Sequence, residues 1–341
     1  MAGQVWAVVL AGGRGTRFWP VSTRSRPKQF IEMLGRGTLL QNTVERARLL
    51  CPRERTLVLT GAEYASEVAR QLPGLPAENI LLEPVPRNTA PSIGWAAQIL
   101  SARGSGADLM FVVPSDHLIT PDSGFAETLE PALRAAEDGW LMTVGVKPDR
   151  PATGYGYLEV GEDLGGFRRV SSFREKPDLA TAEAWAAGGR HLWNAGIFAW
   201  RADAILGEIR KSLPGLFASL AGLGGGPVPV PGAFEGMPSI SVDYGVMEKA
   251  SRVGTVEARF SWDDVGDWPA ARRAGIGRGE VASFDSSECT VWTPGMLTVL
   301  LGVRNLSVVT AGGVLLVMGD GCSQQLRDVV AWMEKEKPGL V

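Results

Sequence analysis

The feature that most constrains this chain is a rhythm along its first half. Short β-branched or leucine-rich runs at residues 5–10, 56–59, 109–113 and 141–145 alternate with amphipathic stretches of helical period. Such runs read as strands, and strands separated by helices join as right-handed β-α-β units in a mostly parallel sheet. Ligands of α/β sheets bind beyond the carboxyl ends of the strands, so the residues that follow these runs carry the functional argument. A chain of 341 residues can bury one large core and a smaller one without disulfides.

After about residue 275 the texture changes. Apolar runs at 290–292, 297–301, 306–310 and 314–318 are separated by glycine-rich turns, which predicts a small all-β module closed by an amphipathic helix over 323–335. The expected division is therefore a catalytic domain over 1–275 and a β-rich domain over 276–341. The Gly- and Pro-rich stretch 222–231 is expected to be a loop inside the first domain.

Composition removes several function classes. A net charge of −3 leaves no basic stripe for a nucleic-acid backbone. No apolar run reaches the roughly 18 residues a bilayer span needs, and the first run has no basic stretch before it, so neither a membrane partner nor a signal peptide is expected. The three cysteines, Cys51, Cys289 and Cys322, are scattered, which suits a reducing cytoplasm. With only two histidines, His117 and His191, chemistry is expected to rest on carboxylates, lysines and arginines.

The first strand runs directly into Leu10-Ala11-Gly12-Gly13-Arg14-Gly15-Thr16-Arg17, followed by Arg26-Pro27-Lys28-Gln29. Glycines let backbone N–H groups converge on an anion because no Cβ blocks the approach, and Arg17 and Lys28 add charge suited to a polyphosphate. By themselves the glycines are equally an ordinary turn. The dinucleotide pattern G-x-G-x-x-G fails because Phe18 stands at its last glycine, and no G-K-[ST] is present to complete a P-loop.

The string A-G-G-x-G-T-R followed by P-K resembles the signature of the sugar-phosphate nucleotidyltransferases. Its continuation, Phe18-Trp19-Pro20 with Pro27-Lys28-Gln29-Phe30, resembles the guanylyl branch acting on mannose 1-phosphate. Arg14 departs from the small residue usual at its position. The resemblance runs from about residue 5 to residue 268. It implies a Rossmann-like nucleotide-diphospho-sugar transferase fold with a mixed central sheet, plus a β-helix-like C-terminal domain.

The same resemblance assigns residues. Leu10, Ala11, Gly12, Gly13, Gly15 and Thr16 would wrap the nucleoside triphosphate, with Arg17 and Lys28 stabilising its phosphates. Glu83-Pro84-Val85-Pro86-Arg87-Asn88-Thr89-Ala90-Pro91 is similar to the family's nucleoside-side stretch, which places Arg87 and Asn88 at the nucleotide, although helix capping by Asn88 or Thr89 accounts for these residues equally well. Asp116, ending the run Phe111-Val112-Val113-Pro114-Ser115, is by itself a cap or a cation ligand. Paired with Asp264 in Trp262-Asp263-Asp264-Val265-Gly266, it resembles the family's magnesium ligands. Asp263 adds a second candidate carboxylate beside Asp264.

On the sugar side, Thr153-Gly154-Tyr155-Gly156-Tyr157-Leu158-Glu159 resembles a hexose-binding strand. There Gly154, Tyr155 and Gly156 would admit the sugar and Glu159 would accept its hydroxyls. Phe173-Arg174-Glu175-Lys176-Pro177 would bring Lys176 to the sugar phosphate. Asn194, in Trp193-Asn194-Ala195-Gly196, and Asp243, in Ser241-Val242-Asp243-Tyr244-Gly245, would face the sugar, although Asp243 could equally cap its helix.

The implied reaction joins GTP and mannose 1-phosphate to give GDP-mannose and pyrophosphate, with Mg2+ as cofactor. The nucleophile is a phosphate oxygen that is anionic near neutral pH, so no general base is needed, which suits a histidine-poor chain. Lys28, Asp116, Lys176 and Asp264 are expected to converge so that two polyanions can meet. Competing readings are UTP or ATP with glucose 1-phosphate, and a non-catalytic subunit that senses sugar nucleotide. The β-rich tail is a candidate surface for a homodimer.

Overall fold

The computed structural model describes residues 3–13, 15–33 and 35–340. Arg14 lies outside the described residues. The described chain packs as two compact units: Met1–Gly12, Thr43–Pro114 and Ile119–Trp262 form the first, and Gly13–Asn42, Ser115–Leu118 and Asp263–Val341 the second.

The elements follow one another as the sequence rhythm requires. The first strands and helices are β1 (Val5–Ala11), α1 (Leu39–Ala47), β2 (Thr56–Gly61), α2 (Ala65–Gln71), β3 (Ile80–Glu83), α3 (Thr89–Arg103) and β4 (Leu109–Pro114). Next come β5 (Leu118–Thr120), α4 (Asp122–Glu137), β6 (Leu141–Val146), β7 (Gly156–Asp163), β8 (Arg168–Glu175), α5 (Leu179–Gly188) and β9 (His191–Arg201). After α6 (Ala202–Ser212) and α7 (Pro214–Leu220), a π-helical turn at Asp243–Met247 precedes β10 (Val253–Glu257) and β11 (Ser261–Asp263).

The first unit is built on a nine-stranded sheet of order β3-β2-β1-β4-β9-β6-β10-β8-β7. One half is parallel: β1 pairs with β2 on one side and β4 on the other, and β2 with β3. The other half departs from the mostly parallel expectation, because β9 runs antiparallel to both β4 and β6 and β7–β8 is an antiparallel hairpin. The sheet is therefore mixed. The chain steps outward from β1 to β3 and then returns to β4 on the opposite side of β1, a topological switch of the kind that opens a crevice at the strand ends.

Packing explains local choices. α3 is apolar on all sides, with Trp95, Ala96, Ile99 and Leu100 buried, because it packs on α6 and α7 as well as on the sheet. Gly94 is needed there: a Cβ would stand 2.9 Å from Leu220 Cδ1 and 3.3 Å from Ile209 Cδ1. The 222–231 loop has no regular structure, as expected, and its Pro227 carbonyl accepts the Leu82 N–H at 2.8 Å, which covers the open edge of β3.

The second unit contains α8 (Trp268–Arg273), β12 (Arg278–Phe284), β13 (Ser287–Leu301), β14 (Arg304–Ala311), β15 (Val314–Gly319) and α9 (Leu326–Glu336). β12, β13 and β14 are parallel neighbours with no helix between them, a coil-like winding, and β15 closes antiparallel on β14. The predicted runs 290–292 and 297–301 belong to one long strand. Its first half pairs with β14 and its second half with β12.

Unexpectedly, the core of this unit joins the segment after the glycine loop to the C-terminal elements. Phe18, Trp19, Val21, Ile31 and Met33 are buried together with Trp268, Trp292, Val309, Leu326, Val330 and Met333. Among the described residues, no helix is long and apolar enough to cross a membrane.

Candidate active site

In the first unit, polar side chains gather where β7, β8 and β9 meet the π-helical turn. Asn194 is buried on β9; its Nδ2 donates to Asp243 Oδ1 at 2.9 Å, and its Oδ1 accepts from Thr143 Oγ1 at 2.7 Å. Asp243 opens the π-helical turn, and its carboxylate accepts from Asn194 as well as from its own backbone N–H. Burial pushes the Asp243 carboxyl up to about 6, with the Glu175 charge adding to the rise and the bond from Asn194 and the charge of Lys176 opposing it.

Lys176 follows the end of β8 with φ 50° and donates from Nζ to Glu175 Oε1 at 2.7 Å. Burial works to lower its ammonium, but the hydrogen bond and charge of Glu175, helped by Tyr244 and Asp243, outweigh burial and hold it above the usual lysine range. Gly156 lies opposite them, where a Cβ would stand 2.5 Å from Glu175 Oε2 and push that carboxylate aside. Gly156, Glu175, Lys176, Asn194 and Asp243 thus form one group of acceptors and donors suited to sugar hydroxyls, with one cation suited to a phosphate.

Glu159 does not join this group. Side chains alternate along a strand, and β7 is regular from Gly156 to Glu159, so Glu159 lies on the face opposite Gly156. It borders a depression lined by Tyr157, Ser172, Trp185 and His191 instead. Glu175, paired with Gly156 across the hairpin, lies on the face of Gly156. Tyr155 packs edge-on against Trp193 and Trp262, and the space around Gly154 is open.

At the other end of the sheet, Asn88 is the N-cap of α3 with φ 67°, and its side chain accepts from the Thr89 N–H at 2.9 Å. The capping account therefore holds for Asn88. Arg87 donates from Nη2 to the Glu235 carbonyl, while its Nε is buried without a hydrogen-bond partner among the described residues.

Sequence reasoning passed over Glu83. It ends β3 buried, accepts from Ser92 Oγ, and has its carboxyl pushed up by burial, which the bond from Ser92 opposes. Its Oε2 stands 3.5 Å from where a Cβ on Gly12 would be, so it faces Gly12 at the end of β1. Its position as the acidic residue closing a buried strand was the available signal. Leu10 and Ala11 lie within β1, and the Ala11 carbonyl accepts from Thr60 Oγ1 at 3.1 Å.

The second unit brings Lys28, Asp116 and Asp264 together. Lys28 is buried, and its ammonium donates to the Asp116 carbonyl at 2.8 Å, to Asp116 Oδ2 at 3.0 Å and to the Asp264 carbonyl at 2.7 Å. These contacts match the three N–H bonds of the group. Lys28 was expected to point at phosphate; in this structure it ties the two aspartate segments to each other. Burial works to raise the Asp116 carboxyl, but the charges of Lys28 and His117 and the Lys28 hydrogen bond outweigh it, and the net shift is downward.

Local structure around the tie is specific. Gly15 has φ 63°, and a Cβ on it would fall 2.4 Å from Lys28 Cβ, so this loop glycine is demanded by the lysine as well as by its own backbone. Thr16 and Arg17 continue from it in a 3-10 turn, Thr16–Phe18. The Arg17 guanidinium and Asp264 Oδ2 flank Gly266: a Cβ there would be 3.4 Å from Arg17 Nη1 and 3.0 Å from Asp264 Oδ2. Asp263 Oδ1 accepts the Val265 N–H at 2.6 Å, while Val265, a β-branched residue, is held at φ 43°. Strain at such a position is retained where the surroundings over-determine it, here on the segment that carries Asp264.

Lys176 belongs to the first unit. Around Gly13 there is open space on the Cβ side. No group of three or more His, Cys, Asp or Glu side chains with metal-ligand spacing occurs among the described residues. A hard divalent cation would therefore depend on substrate oxygens as well as the two carboxylates.

The carboxylates of Asp116 and Asp264 with the cations Lys28 and Arg17, on an α/β chain, suit an enzyme of phosphate transfer. The family model described as Nucleotidyl transferase matches residues 6–275, and the chain belongs to that family. It is similar to a mannose-1-phosphate guanylyltransferase of Sinorhizobium fredii, 39% identical over 79% of this chain, and spans 55% of that relative's length. A mannose-1-phosphate guanylyltransferase of Escherichia coli is 36% identical over 97% of this chain, which spans 74% of it. A solved structure from Thermus thermophilus, described as a mannose-1-phosphate geranyltransferase, matches with a TM-score of 0.88 and 36% identity, covering 97% of this chain and 99% of that one.

Proposed function

We propose that this nucleotidyltransferase transfers GMP from GTP to α-D-mannose 1-phosphate, giving GDP-mannose and pyrophosphate. The observation that carries the reading is the Lys28 tie between Asp116 and Asp264, which holds two acidic segments distant in sequence within one unit. The names of the Sinorhizobium and Escherichia relatives supply the substrates.

A phosphate oxygen of the sugar phosphate attacks the α-phosphorus of GTP, and pyrophosphate leaves. The attacking oxygen is already anionic, so the protein's task is to neutralise and align charge. Asp116 and Asp264 fit Mg2+. The test of fit is the state of Asp116, whose carboxyl is held below its usual range and so remains an anion over the physiological range. Bound there, Mg2+ supplies positive charge to the phosphate oxygens.

Gly12, Gly13, Gly15 and Thr16 offer backbone N–H groups to the triphosphate, and Arg17 clamps it. Lys28 acts as a fixed charge held by the two aspartate segments. Lys176 takes the phosphate of the sugar, while Glu175, Asn194 and Asp243 take its hydroxyls.

Guanine is favoured by Glu83. Guanine presents two adjacent N–H donors on one edge, which a buried carboxylate can accept together, whereas adenine lacks such a pair. Asn88 is the cap that orients the start of α3 at the nucleoside, and Arg87 is its neighbour.

We also propose a homodimer formed through the C-terminal sheet. Leu297, Val299 and Leu301 alternate along the second half of β13, Phe284 pairs with Leu301 from β12, and all four are more than half exposed, an apolar strip on the sheet. A second copy of this chain is the proposed occupant, since the same strip on two copies can meet across a two-fold axis. Sedimentation of the full chain should give twice the monomer mass; a monomer at micromolar concentration rejects this assembly. The reaction is placed in the cytoplasm, where nucleoside triphosphates are supplied.

The test of the activity is pyrophosphate release measured across GTP, ATP, UTP and CTP with mannose and glucose 1-phosphates. GTP with mannose 1-phosphate should dominate. Turnover preferring UTP or ATP would reassign the substrates, and sugar-nucleotide binding without turnover would make the chain a sensing subunit.

A further inference from the structure

Beside the Lys28 tie, a run of tilted, touching aromatic rings leads to the C-terminal sheet. Phe18 follows Arg17, is fully buried, and presents its ring with the centroid 5.5 Å from Lys28 Nζ. Trp268 also packs on Phe18, with ring centroids 4.9 Å apart and planes tilted by 60°, and Trp292 of β13 packs on Trp268 with centroids 5.9 Å apart.

Two hydrogen bonds fix Trp268 in this column: its indole N–H donates to the Trp19 carbonyl at 3.2 Å, and its own carbonyl accepts from Thr290 Oγ1 at 3.1 Å. Trp19 is held in turn from the far end of the chain, its indole N–H donating to the Leu340 carbonyl at 2.8 Å. Trp268 stands four residues beyond Asp264, as the first residue of α8.

We infer that Trp268 is a positioning residue of the transfer reaction, acting through Phe18 to hold Lys28, and that the C-terminal sheet is thereby part of the catalytic apparatus. The physical grounds are close packing and ring electrostatics. A buried aromatic leaves its neighbours little freedom to shift, and the face of Phe18 attracts the ammonium beside it. A displacement of about 1 Å in a catalytic charge can cost on the order of 100-fold in rate. The inference rests on the reading of Lys28 as a charge used in the reaction.

The experiment is a double-mutant cycle on full-length protein, with GTP and mannose 1-phosphate as substrates. Trp268→Leu should lower kcat by about 10-fold or more and leave KM for GTP within about threefold. Trp268→Phe keeps a ring against Phe18 and should recover most of that loss. In a Lys28→Met background, itself lowered by about 100-fold, Trp268→Leu should change the residual kcat by less than about threefold, because its effect passes through the missing ammonium.

The same fold-loss in both backgrounds overturns the inference while leaving the activity intact, as does unchanged kcat in Trp268→Leu. A wild type that turns over no nucleotide sinks the functional reading and this inference with it. If circular dichroism finds Trp268→Leu unfolded, Phe18→Leu takes its place in the cycle, with the same expected and contrary outcomes.

Discussion

Replacing Asp243 with asparagine tests the electrostatics of the sugar-side group. The carboxyl titrates at about 6 in the folded protein against 3.8 for an unperturbed aspartate. Between those values the folded chain holds a proton that the unfolded chain has lost, so stability falls as pH rises through this window and the cost is complete above it. At about 1.4 kcal/mol for each pKa unit, the full cost has a ceiling of about 3 kcal/mol, less what solvent around this part-buried group screens. Asparagine is neutral throughout and keeps an oxygen to accept from Asn194. Urea unfolding should therefore find Asp243→Asn more stable than wild type by about 2–3 kcal/mol at pH 8, shrinking to about 1 kcal/mol at pH 4.5. The same variant should bind mannose 1-phosphate more weakly, a site that trades stability for function. A gain equal at the two pH values, or no gain at pH 8, would refute the reasoning.

Asp263→Asn should keep kcat within about threefold, since its amide oxygen still accepts from the Val265 N–H; a large loss would mean that the metal carboxylate belongs to the wrong neighbour. Glu83→Gln should narrow the preference for GTP over ATP by about 10-fold or more in kcat/KM, because the side chain loses its second acceptor for the paired donors of guanine; unchanged discrimination would remove Glu83 from base recognition. Gly156→Ala should raise KM for mannose 1-phosphate by pushing its Cβ onto Glu175 Oε2, 2.5 Å away, with KM for GTP unmoved; equal effects on both substrates would count against a sugar-side role.

Much of this was legible in the residues. The runs that became β1, β2, β4 and β6 announce themselves by apolar character alone, because strands buried on both faces need no alternation. The glycine-rich loop, Lys28 and the two aspartates were visible as motifs; the tie among them was not.

What failed to show was phase and contact. Glu159 and Glu175 are both acidic residues in glycine-bearing stretches, and only the pairing of β7 with β8 decides which of them lies on the face of Gly156. β12, with Arg278, Glu280 and Ser283 exposed, carries too little apolar character to read as a strand. That Gly15 is demanded by Lys28, and that Trp268 backs Phe18, are contacts between distant residues. No local pattern encodes them.

The claim on which the account depends is that Asp116 and Asp264 hold the divalent cation used in transfer, and its most direct test is the Mg2+ concentration needed for half-maximal pyrophosphate release. Chelation should abolish wild-type turnover and Mg2+ should restore it, with the half-saturating concentration rising by about 10-fold or more in Asp116→Asn and in Asp264→Asn. Turnover that survives chelation, or variants that saturate at the wild-type concentration, would contradict it.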